Sequence, residues 1–169
     1  MTILLSIVFL MNLYPQSIVA LLKGVENNYK LHMVYKQTSF VCKPYGVEGV
    51  DELILRTDAN STCVNHLKNF RLTHPKEKHF AQTSLQVQQQ YSVEGREDRC
   101  VLYLSNEYSY SEALLEHGFA RITLGLTYDN RLMKYRFNQA VKRAKSKKLG
   151  IWADPNVRNC FLAKSIIGK

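Results

Sequence analysis

Apolar residues follow several different rhythms along this chain, and each predicts a different element. Thr2 to Leu22 carry no charged side chain, and the densest apolar stretch runs from Ile3 to Met11. Short apolar and β-branched runs at Tyr29–Val34 and Thr38–Cys42, separated by Lys36 and Gln37, read as strands. Pro44 and Gly46 interrupt the pattern, so Lys43 to Asp51 is a strand end passing into a loop. Leu53, Ile54 and Leu55 form an apolar run too short to type by its period.

Helical spacing begins further on. Cys63, Val64, Leu67 and Phe70 follow the cap formers Asp58, Asn60 and Ser61, which predicts a helix from about Ser61 to Asn69. The stretch from Arg71 to Thr83 is polar and basic, with a loop marked by His74-Pro75-Lys76, and is expected to be mobile unless a partner or a disulfide from Cys63 holds it. His74 and His79 fit no ligand spacing and read as surface residues. Leu85, Val87, Gln89 and Tyr91 alternate with Gln86, Gln88 and Gln90, predicting a strand with one apolar face. A turn over Glu94 to Asp98 returns it into a second strand at Cys100–Leu104, with Arg99 at the foot of this hairpin.

The remainder is more strongly punctuated. Ser109 and Glu112 have the spacing of a capping box, Ala113, Leu114 and Leu115 form a buried face, and Gly118 suits the helix end. A short strand is expected at Phe119–Leu124. Asp129 is the expected cap of a long helix reaching about Leu149, with Gly150 as its stop. Met133, Phe137, Ala140, Val141 and Ala144 form its inward stripe, under which Trp152 folds back. Between Arg131 and Lys148 this helix carries eight Lys or Arg and no acid. Lys134, Lys142, Arg143, Lys145, Lys147 and Lys148 are therefore the candidate surface for nucleic acid or another partner; a solvated helix face is the plainer alternative.

Composition changes this picture in three ways. The 169 residues suit one domain. Residues 1–20 read as a secretory signal whose small-residue end is Ser17 to Ala20, leaving a domain over 21–169; a retained membrane anchor and a buried element of the domain are the alternatives. Cys42, Cys63, Cys100 and Cys160 lack metal-type spacing, so behind such a leader they are expected to form disulfides in a secreted, periplasmic or envelope-associated protein. Three pairings remain open. The formal charge of +9 favours polyanionic neighbours without specifying one.

Ser111-Glu112-Ala113-Leu114-Leu115-Glu116-His117-Gly118-Phe119-Ala120-Arg121-Ile122, then the helix containing Ala140 and Ala144, then Lys148-Leu149-Gly150-Ile151-Trp152 form a succession of segments. Together they resemble the staphylococcal nuclease family. Glu97 to Leu104 is similar to the family's hairpin segment, and Lys43 to Asp51 to its active loop. The resemblance implies a five-stranded OB-type β-barrel with three helices, and in active members calcium-dependent cleavage of DNA or RNA. Carried onto this chain, it implies Lys43 and Arg99 as phosphate-contacting cations, Asp51 as the carboxylate that holds the water, and Glu48, Gln37 and Asp51 as the calcium ligands.

Those positions are altered from the family pattern in ways that matter chemically. Lys43 replaces an arginine and lacks its two-donor fork. Asp51 is one methylene shorter than the expected glutamate, and Gln37 removes a negative charge from a site whose calcium affinity depends on charge. Two functions follow as expectations: a noncatalytic binding or structural component of an envelope or other multiprotein assembly, needing no cofactor, or a secreted calcium-dependent nuclease. Other proteins, nucleic acid, and a membrane reached through the N-terminal segment are the expected partners.

Overall fold

A computed structural model describes residues 17–59, 61–128 and 130–162. Its first strand, β1 (Ser17–Asn27), includes four residues of the expected leader, while residues 1–16 lie outside the described part. The strand turns at Asn28 into β2 (Lys30–Tyr35) and β3 (Thr38–Cys42). A hairpin of β5 (Gln90–Arg96) and β6 (Arg99–Tyr103) packs on the other side of β1. All neighbours are antiparallel, in the order β3-β2-β1-β5-β6.

This order corrects the OB-barrel expectation, because the sheet does not close: β3 and β6 are its two ends. After Cys42 the chain reaches Pro44, which has no N–H to continue a ladder. What joins the two ends is local: an isolated bridge between Pro44 and Cys100, bonds from Cys100 N to the Lys43 carbonyl and Tyr45 N to the Cys100 carbonyl, each 2.8 Å, and the Cys42–Cys100 disulfide. A separate two-stranded sheet pairs β4 (Val47–Gly49) with β7 (Ala120–Ile122).

The described residues also hold seven α-helices rather than three. The apolar run after residue 50 is α1 (Val50–Arg56), and α2 (Thr62–Thr73) begins where Ser61 Oγ accepts from Cys63 N at 3.2 Å. The expected mobile stretch continues as α3 (Pro75–Lys78) and α4 (Phe80–Ser84). It is ordered from a distance: the side chain of Asn28 donates to the Glu77 carbonyl and accepts from Ala81 N at 2.8 Å. The alternating run from Leu85 becomes a strand only at Gln90, since the chain turns at Gln88 (φ 69°), where Gln89 N donates to the Gln86 carbonyl at 3.2 Å.

The capping box forms as expected on α5 (Tyr110–Glu116), and α6 (Arg131–Ser146) buries Phe137, Ala140 and Ala144. Asn130 caps α6 by accepting from Leu132 N; Asp129 lies outside the described residues. Gly118 (φ 70°) and Gly150 (φ 52°) let two chain reversals touch, because a Cβ on either would stand 2.2 Å from a backbone oxygen of the other segment. A 3₁₀ turn, Gly150–Trp152, leads into α7 (Pro155–Leu162).

Two cores result. One lies between the sheet and α5 and α6, with Leu22, Leu31, Met33, Leu114 and Phe137 fully buried. The second gathers Leu53, Phe70, Ala144, Trp152 and Phe161 from α1, α2, α6 and α7. No helix among the described residues is long and apolar enough to cross a membrane.

Candidate functional site

Arg99 opens β6 with its guanidinium turned towards the chain between β3 and α1. Nη1 donates to the carbonyls of Pro44 (3.2 Å) and Val47 (3.1 Å), and Nη2 to Glu52 Oε1 (3.1 Å). Its donors therefore hold the shape of the loop. Lys43 stands 3.8 Å from Asp98 across the same corner, a contact between exposed side chains.

Glu48 is on β4 and almost wholly buried, with its side chain 2% exposed. Its Oε2 accepts from Arg121 Nε (3.0 Å) and Nη2 (2.9 Å), and its Oε1 from Arg56 Nη1 (2.8 Å). Arg121 is equally enclosed and also donates through Nη1 to the Phe161 carbonyl. Asp51, in the first turn of α1, pairs with Arg71 of α2 at 2.8 Å. Gln37 lies exposed in the turn joining β2 and β3, and no bond links it to Glu48 or Asp51.

The structure thus brings Lys43 and Arg99 to one corner, and directs Glu48 and Asp51 to different partners. A hollow of about 380 Å³ beside β6 is lined by Ile18, Phe40, Val41, Val93, Asp98 and Arg99, and neither Glu48 nor Asp51 reaches its wall. No group of three or more His, Cys, Asp or Glu side chains among the described residues is placed to hold a metal ion. The residues do not fit calcium: both Glu48 oxygens face guanidinium groups, and Asp51 faces one. This corrects the nuclease and hydrolase expectation.

Sequence reasoning missed the partners, Arg56, Arg71, Glu52 and Arg121, and a buried polar group beside them. Glu77 is 3% exposed on the inner side of α3. Burial pushes its carboxyl up to about 7, repulsion from Asp51 adds to the rise, and Arg71 and Asn28 oppose it. A carboxyl whose folded value is raised from 4.5 contributes its full stability below about pH 4.5 and loses it as pH climbs through 7. Glu77→Gln should therefore remove a fall of about 2–3 kcal/mol between pH 5 and pH 8, read from urea midpoints of both proteins at the two pH values.

The helix α6 presents a different chemistry. Arg136 turns inward, gripping Glu112 with two bonds of 2.7 Å, while Arg143 binds Glu116 at 2.9 Å and Lys145 lies 4.5 Å from the centre of the Trp152 ring. Lys134, Lys142, Lys147 and Lys148 are exposed and enter no ion pair among the described residues.

The family model described as staphylococcal nuclease homologue matches residues 59–154, more than half of the chain. The chain belongs to the staphylococcal nuclease family. The matched stretch takes in Arg99, the α5–β7 segment, α6 and the Gly150 turn, and it begins after Gln37, Lys43, Glu48 and Asp51. No curated protein matches the chain.

Proposed function

We propose that this staphylococcal nuclease family domain is a noncatalytic binding component of a protein assembly, and that it holds an anionic partner on α6 and the turn that ends it. The observation that carries this reading is a division of charge. The acidic and basic residues around β4, α1 and β6 neutralise one another in partly or wholly buried pairs, whereas Lys134, Lys142, Lys147 and Lys148 face solvent without an acid. Unpaired surface cations raise the local concentration of a polyanion and speed its encounter. Export is part of the same proposal, supported by two disulfides, which persist in oxidising compartments.

Fluorescein-labelled heparin tests the face, because it is a polyanion without bases or a peptide chain. Its anisotropy should report binding that weakens steeply from 50 to 200 mM salt. Replacing Lys134, Lys142, Lys147 and Lys148 together by alanine should lower affinity at least tenfold and flatten the salt dependence. Equal affinity of the two proteins, or no binding at 50 mM salt, would contradict the proposal.

A further inference from the structure

A cavity of about 510 Å³ opens between α3–α4 and the end of α5, away from the corner that holds Arg99. Its wall is mostly carbon, from Pro75, Phe80, His117 and Phe119, with Lys76 and His79 at the edge. The rings pack on one another to form one wall of it: Phe80 and His117 lie 4.8 Å apart and tilted 45°, Phe80 and Phe119 lie 5.2 Å apart at 66°, and His117 and Phe119 lie 5.8 Å apart at 25°. His117 is fixed in it by a 2.9 Å bond from Nδ1–H to the Ala113 carbonyl.

The lining contains no carboxylate. Two acids adjacent in sequence to its lining are engaged elsewhere, Glu77 buried in α3 and Glu116 bound by Arg143. The end of α5 beside the cavity touches the turn that follows α6. A Cβ on Gly150 would stand 2.8 Å from the His117 carbonyl, and Ile151 N donates to the Gly118 carbonyl at 2.9 Å. Lys148 is two residues before Gly150, within about 7 Å of chain.

We infer that this aromatic cavity and the adjoining lysines bind an acidic segment of a partner protein that lays one aromatic side chain against Phe80, His117 and Phe119. The inference rests on the binding role proposed above and names the partner's chemistry. A tryptophan or phenylalanine gains from a recess of this size and places few polar atoms against carbon, and such anchors dominate protein interfaces. A nucleobase would bring several donors and acceptors to a wall that pairs few of them, each left unpaired at a cost. Aspartates or glutamates flanking the anchor would meet Lys76, Lys147 and Lys148, which orient the segment and speed its docking.

The test uses the full chain and two acetylated hexapeptides, one with a tryptophan flanked by aspartates and glutamates, the other with alanine in place of the tryptophan. NMR titration should show the tryptophan peptide binding at least fivefold more tightly, with shifts at His117 and Phe119. Phe119→Leu, which keeps an apolar side chain but removes the ring, and His117→Gln should each erase that preference while leaving heparin affinity within twofold. Lys147→Ala with Lys148→Ala should weaken both peptides alike. Equal binding of the two peptides by the wild-type chain, or shifts confined to α6, overturns the inference while heparin binding upholds the wider proposal. A dT oligonucleotide that shifts His117 and Phe119 when neither peptide does overturns it in favour of a nucleic acid. If heparin and both peptides fail to bind, both readings fall together.

Discussion

Arg121→Ala should lower the unfolding free energy by about 3–5 kcal/mol, because it leaves Glu48 charged inside the protein without its main partner. The two side chains are 6% and 2% exposed, so water cannot replace the lost guanidinium without opening the β4–β7 pair. Arg56 remains within 2.8 Å of Glu48, but its own side chain is nearly half exposed, and its compensation is screened. The same substitution removes the bond to the Phe161 carbonyl, which connects β7 to α7. If the cost is an uncompensated charge, pairing Arg121→Met with Glu48→Leu should recover most of it. Guanidinium chloride unfolding of the wild type and both variants checks this, and a double variant no more stable than Arg121→Ala would assign the loss to packing instead.

Replacing both Cys63 and Cys160 by serine should cost about 4 kcal/mol, the second large effect. Their disulfide joins α2 to α7 across 97 residues of sequence and so constrains the unfolded chain strongly. It also fixes a helix whose inner face, Val157 and Phe161, completes the second core. Arg121 holds the same helix through Phe161, so the two losses act on one element and should not add. Thermal unfolding with and without reductant measures the effect: reductant should lower the wild-type midpoint and leave that of the double serine variant closer to its oxidised value, since only the Cys42–Cys100 link remains to be reduced. A serine variant as stable as the oxidised wild type would show that the link adds nothing.

What the sequence disclosed depended on how local the determining contacts are. The capping box of Ser109 and Glu112 and the stripe through Phe137, Ala140 and Ala144 are written within a few residues, and both formed as expected; the helix expected to stop at Gly150 ends at Ser146, with Lys148 (φ 50°) taking the left-handed turn. The Arg71 to Thr83 stretch was misread because its order comes from Asn28, some 50 residues away, and from Phe80 and Ala81, buried only once the sheet is present. Polar composition predicted disorder, and tertiary contact overrode it. The sheet edges followed the same logic. Five short strands were compatible with closure, and the departure of the chain at Pro44 decided against it.

The candidate site shows this limit most clearly. Family resemblance drew attention to Lys43, Glu48, Asp51 and Arg99 as residue types suited to phosphate and calcium chemistry. Their roles are set by what stands opposite, and Arg121 lies 73 positions from Glu48 and Glu52 lies 47 from Arg99. No spacing rule links such pairs in one sequence. The outward lysines of α6 were legible from charge pattern, but Arg136 and Arg143 on the same helix turned to Glu112 and Glu116.

The central claim is that the charged residues around β4, α1 and β6 maintain the fold and leave the domain to bind without cutting. Its most direct test incubates the full chain at high concentration with single-stranded DNA, duplex DNA and RNA, each with calcium and with chelator. The account predicts that every substrate remains intact in both conditions. Calcium-dependent cleavage, suppressed by chelator and lost in Arg99→Ala, would contradict it.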